Sequence, residues 1–253
     1  MEVTKHAPGT FCWIDLATSD AAGATRFYTK LLGWTAEEMP VDDGMAYTLL
    51  ALRGKPVAAL YPRHDVAPHW LAYVSVEDVD ASTARAKALG GRVVTEPMDV
   101  LDVGRQALLQ DPTGALFALW QPRRHAGAAI VGEAGALTWT ELQTRDADRA
   151  KAFYAELFGW KADTQPMGGT AYTTFAQGDR MVAGMMQMTG EWGDAPSHWM
   201  TYLEVEDVDG GTAEARKLGA TVHVPPTDVP GVGRFSLLQD PQGAPFAMIR
   251  MNG

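Results

Sequence analysis

Trp13-Ile14-Asp15-Leu16 leads into Ala24-Thr25-Arg26-Phe27-Tyr28-Thr29-Lys30-Leu31-Leu32-Gly33-Trp34, and Trp139-Thr140-Glu141-Leu142 leads into Ala150-Lys151-Ala152-Phe153-Tyr154-Ala155-Glu156-Leu157-Phe158-Gly159-Trp160. The second stretch repeats the first at an offset of 126 positions, Trp13 to Trp139. The match continues downstream. His69-Trp70 recurs as His198-Trp199, Val76-Glu77-Asp78-Val79-Asp80 as Val205-Glu206-Asp207-Val208-Asp209, and Leu108-Leu109-Gln110-Asp111-Pro112 as Leu237-Leu238-Gln239-Asp240-Pro241. The offset slips to 125 at Tyr47 and Tyr172 and settles at 129 from His69 onward. Those slips fall among Gly, Pro and Asp, where loops accept insertions. A period this long marks a duplicated domain, because solenoid repeats run at about 20 to 50 residues. A site built by one copy is therefore expected in the other.

Within each copy the hydrophobic period changes in a fixed order. Phe11 to Ala17 alternates as a strand, which predicts Cys12, Ile14 and Leu16 on one face and Phe11, Trp13 and Asp15 on the other. Ser19 or Asp20 can cap a helix whose stripe is Ala24, Phe27, Tyr28, Leu31 and Leu32, and Gly33 suits its left-handed end. Strands follow around 34–38, 46–52 and 57–61. The order then restarts, with a strand from His69 to Val76, a helix from Asp78 to Leu89 and strands near 92–95, 105–110 and 116–120. Each copy thus reads as two βαβββ units, an α+β arrangement spanning 10–122 and 136–251. Residues 123–135, rich in Gly and Ala, are the expected linker.

Composition narrows the function. The chain has 253 residues, long enough for two domains with separate cores. Hydrophobic content of 46% with 21% charged residues reads as soluble and globular. No signal peptide or membrane span is visible, so a cytoplasmic location is expected. One cysteine, Cys12, excludes a disulfide framework and multi-cysteine metal sites. A formal charge of −10 opposes nonspecific nucleic-acid binding, which requires Lys and Arg to displace counterions.

The Trp-x-Asp/Glu-Leu strand, the Phe-Tyr to Gly-Trp helix end and the Gln-Asp-Pro-x-Gly turn together resemble the vicinal oxygen chelate superfamily of glyoxalases, bleomycin-resistance proteins and extradiol dioxygenases. The chain is similar to the two-domain glyoxalase-like proteins of actinobacteria, often labelled hydroxylases. The resemblance implies tandem glyoxalase-like domains, each a curved mixed sheet with helices outside. It also implies a divalent ion held by a His or Gln on the first strand, a His on the first strand of the second unit and a Glu on the last strand. Those positions fall on Trp13, Leu71 and Ala118 in one copy and on Trp139, Met200 and Ala247 in the other. Indole and hydrocarbon offer no lone pair to a cation, so neither metal nor other cofactor is expected.

Strand alternation then selects a site. Trp13 and Asp15, with Leu71, Tyr73 and His69, should face the concave side, and Trp139, Glu141, Met200, Tyr202 and His198 should do so in the second copy. An aromatic wall with few polar groups suits a small-molecule ligand. Equally open are structural roles: Trp13 and Trp139 as filling, Asp15 and Glu141 paired with Arg105 and Arg234, and His69 and His198 in local hydrogen bonds. His6, His64, His125 and His223 are not repeated between copies. Met181, Met185, Met186 and Met188 predict a softer pocket wall in the second copy.

The leading expectation is a metal-free protein, monomer or homodimer, that binds a small aromatic or amphipathic molecule and touches neither nucleic acid nor membrane. It would sequester that ligand or assist a tailoring step. If it is an enzyme, a glyoxalase-like lyase or oxidoreductase, then Asp15 or Glu141 is the general base and His69 or His198 its proton partner. The rival is a metal-dependent lyase or dioxygenase that uses other donors.

Overall fold

A computed structural model describes residues 1–40, 46–167 and 169–252. The first copy contains β1 (Phe11–Thr18), α1 (Ala21–Leu32), β2 (Thr35–Pro40), β3 (Ala46–Leu52), β4 (Lys55–Pro62), β5 (His69–Ser75), α2 (Val79–Ala88), β6 (Arg92–Val100), β7 (Gly104–Gln110) and β8 (Leu116–Pro122). The second contains β9 (Leu137–Thr144), α3 (Ala147–Phe158), β10 (Lys161–Met167), β11 (Thr170–Gln177), β12 (Arg180–Gln187), β13 (His198–Glu204), α4 (Val208–Lys217), β14 (Thr221–Val229), β15 (Gly233–Gln239) and β16 (Pro245–Met251).

Each copy forms one eight-stranded mixed sheet, in the orders β2-β3-β4-β1-β5-β8-β7-β6 and β10-β11-β12-β9-β13-β16-β15-β14. The two βαβββ units of a copy join through their first strands, β1 with β5 and β9 with β13, both antiparallel. Unit pairing is therefore within a copy and not exchanged between copies.

The helices begin and end as their sequences dictate. Asp20 Oδ1 accepts the Gly23 N–H at 2.9 Å and Gly33 closes α1 at φ 69°, while Asp146 and Gly159 do the same for α3. The stripe so displayed is buried at Ala24, Phe27, Tyr28 and Leu32.

That stripe packs across the copies. Phe27 and Tyr28 of α1 share a core with Ile14, Leu16 and Trp70 of their own sheet and with Leu238, Phe246 and Met248 of the other. Phe153 and Tyr154 of α3 likewise join Leu109, Phe117 and Leu119 of the first copy. Helix α1 meets α4, and α2 meets α3. The helices thus lie between the convex backs of the sheets, and both concave faces point away from this shared layer.

One strand departs from simple alternation. Phe11 pairs with Val74 and Trp13 with the next residue, Tyr73, which leaves Cys12 as an extra residue in a β-bulge. Phe11 turns to the helix side, its ring centroid 5.0 Å from that of Trp199, and Cys12 joins Trp13 in the concave cluster. The expected grouping of Cys12 with Ile14 fails for this reason. The bulge frees the Cys12 carbonyl to accept the Ala128 N–H at 2.7 Å.

Residues 123–135 connect the sheets as a packed segment. His125 N–H donates to Val103 O at 3.0 Å and Ala129 N–H to Pro56 O at 2.8 Å, and Ile130 is buried. Among the described residues no helix is long and apolar enough to cross a membrane.

Candidate functional site

Three neighbouring strands bring the expected residues of the first copy together. Trp13 pairs with Tyr73, Asp15 with Leu71, and Tyr73 with Ala118, so β1, β5 and β8 present one continuous patch on the concave face. Trp13, Leu71, Tyr73 and Ala118 are packed into a single apolar cluster with Trp120. The second copy repeats the geometry: Trp139 pairs with Tyr202, Glu141 with Met200, and Tyr202 with Ala247.

A carboxylate sits in the middle of each patch. Asp15 is only 3% exposed. Its Oδ2 accepts the Tyr73 hydroxyl at 2.8 Å and the Tyr47 hydroxyl at 3.5 Å, while Oδ1 has no partner. Trp13 Nε1–H donates in turn to the Tyr47 oxygen at 3.2 Å. Burial raises the Asp15 carboxyl to about 7, against the partial relief given by the two phenols. Such an acid holds or releases a proton near neutrality with little driving force either way.

Glu141 is 4% exposed and has an equivalent surround. Its Oε1 accepts Tyr202 Oη at 3.1 Å and Gln143 Nε2 at 3.2 Å, and Trp139 Nε1–H donates to Tyr172 Oη at 3.2 Å. Burial raises this carboxyl as well, opposed by Gln143, Tyr172 and Tyr202. Gly184, the strand partner of Glu141, makes room for the assembly, since a Cβ there would lie 2.0 Å from Tyr172 Oη. The matching residue beside Asp15 is Ala59.

The histidines occupy the end of the same strands. His69 pairs with Ala17, two positions from Leu71 and thus about 7 Å along the strand from the level of Asp15. Its Nδ1–H donates to Ala67 O at 2.8 Å, and His198 Nδ1–H donates to Pro196 O at 2.9 Å. Phenols, joined at Glu141 by the Gln143 amide, are the hydrogen-bond partners of the two carboxylates, and the imidazoles are not. The arginines also go elsewhere: Arg105 pairs with Asp80 and Asp99, and Arg234 with Asp209 and Asp228. Of the four methionines expected as a soft wall, Met185 lies in the core behind the sheet and Met181 is exposed, while Met186 stands in register with Tyr172 and Gln143.

Tyr47, Tyr172, Gln143 and His125 join this surround without having been singled out as site residues. The tyrosines carried a signal, since they repeat at an offset of 125, whereas Gln143 and His125 have no counterpart of the same type. Two open clefts lie elsewhere. One of about 240 Å³ is bordered by Asp20, Arg26, Lys30 and Gln242, the other of about 370 Å³ by Arg145, Lys151, Thr173 and Gln187.

The positions that the resemblance assigns to metal ligands do not fit a divalent ion. The Trp13 indole N–H is a donor already engaged with Tyr47, and Leu71 and Ala118 are hydrocarbon. Trp139, Met200 and Ala247 offer only a thioether among them, a soft donor poorly matched to such ions. Among the described residues, no three or more His, Cys, Asp or Glu side chains converge as a metal-binding group.

The family description "Glyoxalase/Bleomycin resistance protein/Dioxygenase superfamily" matches residues 10–119 and 136–248. "Putative glyoxylase CFP32" of Mycobacterium tuberculosis is 39% identical, over 98% of this chain and 97% of its own. "Anthracycline biosynthesis protein DnrV" of Streptomyces peucetius is 35% identical, over 98% and 96%. Among solved structures, the 2,3-dioxygenase LapB of Pseudomonas sp. KL28 superposes with a TM-score of 0.69 at 14% identity, covering 98% of this chain and 94% of its own. The Mn(II)-bound glyoxalase of Novosphingobium aromaticivorans gives 0.67 at 17%, covering 96% and 82%. At these identities the two structures speak for the fold.

Proposed function

Because the chain belongs to the glyoxalase/bleomycin resistance protein/dioxygenase superfamily, we propose that its concave sheet face captures a small planar aromatic or amphipathic molecule without a divalent ion. The observation that carries this reading is the replacement of metal-ligand positions by an indole and hydrocarbon around one buried carboxylate, Asp15 or Glu141. Apolar walls reward the loss of water from an aromatic ring, and a lone polar group fixes its orientation. A ligand hydroxyl or N–H would find a hydrogen-bond partner in that carboxylate. The Streptomyces peucetius relative, an anthracycline biosynthesis protein by name, supports the same class, since an anthracycline contains a planar hydroxyanthraquinone.

The site suits sequestration or assistance to a tailoring step. In the second case Asp15 or Glu141 exchanges a proton with the ligand. Tyr73 and Tyr202 hold the carboxylates in place, while His69 and His198 keep Nε2 for solvent or ligand. A cytoplasmic location fits this role.

The test is titration with a dihydroxyanthraquinone in EDTA, followed by quenching of tryptophan fluorescence. Saturable binding that weakens at least about fivefold in Trp139→Ala is expected, since one aromatic contact is worth roughly 1–3 kcal/mol. Absence of saturable binding to the native protein, or unchanged affinity in the variant, overturns the reading.

A further inference from the structure

The two concave faces carry matching residues yet differ in the exposure of one indole. Trp13 is 4% exposed, whereas Trp139 is half-buried. One ring covers the first indole and, among the described residues, has no counterpart on the second. His125 packs edge-on against Trp13, with ring centroids 4.5 Å apart, and against Trp120 at 5.7 Å. Among the described residues no aromatic or imidazole ring is paired with Trp139 in this way.

His125 is held there by its backbone. Trp120 Nε1–H donates to the His125 carbonyl at 2.9 Å, and His125 N–H donates to Val103 O at 3.0 Å. On one side Arg123 pairs with Asp99 at 2.9 Å and Arg124 with Asp102. On the other, Ala128 N–H reaches the bulged Cys12 carbonyl, and its own carbonyl meets His6 Nε2 at 2.9 Å. Gly127 permits this approach: its φ is +114°, and a Cβ would lie 2.3 Å from Cys12 O. The segment is thus strapped over the first hollow by contacts on both sides of the imidazole. Burial lowers the His125 ring to about 4, so it is an uncharged aromatic at neutral pH.

We infer that His125 is a built-in occupant of the first hollow, standing where an external aromatic ring would lie on Trp13, and that the second hollow, over Trp139, takes the ligand. This rests on the proposed function and adds to it a stoichiometry of one ligand per chain. The inference explains why a site duplicated in sequence is asymmetric in structure. It also identifies the contact expected of the ligand, an aromatic edge against the Trp139 indole.

Cavity complementation tests the occupant without knowledge of the natural ligand. His125→Gly leaves a hole of imidazole size, and apolar cavities of that kind accept small aromatic guests. One 4-methylimidazole per chain should bind to the folded His125→Gly protein, as read by calorimetry, and none to the native protein. A folded variant that binds none overturns the inference. Should the variant not fold, indole N–H resonances of the native protein decide. Saturating dihydroxyanthraquinone should shift the Trp139 signal and leave the Trp13 signal in place. Movement of both overturns the built-in occupant while keeping the ligand reading. If neither moves, the second hollow does not take the ligand, and the inference falls together with the ligand reading.

Discussion

Tyr28 and Asp240, 212 positions apart in the chain, are joined by a 3.0 Å hydrogen bond between the phenol of the first copy and the carboxylate of the second. Trp70 Nε1–H donates to the same phenol oxygen at 3.0 Å. The other Asp240 oxygen accepts the Gln242 and Ala244 N–H groups, so a turn of one domain and a helix of the other share one side chain. Tyr154, Trp199 and Asp111 repeat the arrangement in reverse. These two clasps, in the buried layer between the sheets, give the Phe-Tyr and Gln-Asp-Pro motifs a structural explanation.

Tyr28→Phe keeps the ring and removes the hydroxyl, leaving Asp240 Oδ2 and Trp70 Nε1 without this partner in a buried setting. Stability in urea should fall by about 1–3 kcal/mol, the usual cost of stranding buried polar groups. Tyr154→Phe should cost a similar amount. A loss below about 0.5 kcal/mol in both would mean that the clasps are incidental.

The Asp15 carboxyl gives stability a definite pH dependence. Its ordinary value of 3.8 rises to about 7 in the folded protein. The folded state therefore holds this proton more tightly, and its advantage is full below about pH 4. It shrinks as pH climbs and is gone once pH has passed about 7. Asp15→Asn removes the titration while still accepting from Tyr73. Relative to the native protein, the variant should gain roughly 2–4 kcal/mol between pH 4 and 8, at 1.36 kcal/mol per unit. Denaturation curves at both pH values read this directly, and a pH-independent difference would rule out a buried, raised carboxyl.

Gly184→Ala should disturb the second hollow, because the added methyl meets Tyr172 Oη at 2.0 Å and Trp139 Nε1 at 2.8 Å. A loss of about 1–3 kcal/mol is expected for such overpacking. Tyr172→Phe in the same background removes the clashing oxygen and should recover part of the loss. Equal stability of the single variant and the native protein would show that the Trp139–Tyr172 pair is free to move aside.

The repeat made the fold legible, since stripe, cap and turn residues recur in order and each has a local physical meaning. Concave placement of Trp13, Asp15, Leu71 and Tyr73 followed from strand alternation, which holds from Trp13 onward. It broke at Cys12 because the bulge depends on Ala128, far along the chain, accepting a role as hydrogen-bond donor. Arg105 and Arg234 were plausible partners by charge alone, yet nearer carboxylates claim them. The clasps were hidden for another reason. Tyr28 and Asp240 belong to opposite copies, and a repeat shows which residues correspond, not which ones touch.

Ion-independent capture by the concave face is tested most directly by native mass spectrometry of the full chain purified without chelator, coupled to dihydroxyanthraquinone titration before and after EDTA. The expected result is no stoichiometric Mn, Fe, Ni or Zn and the same probe affinity in both titrations. One tightly held transition metal per domain, with probe binding lost when EDTA removes it, would contradict it.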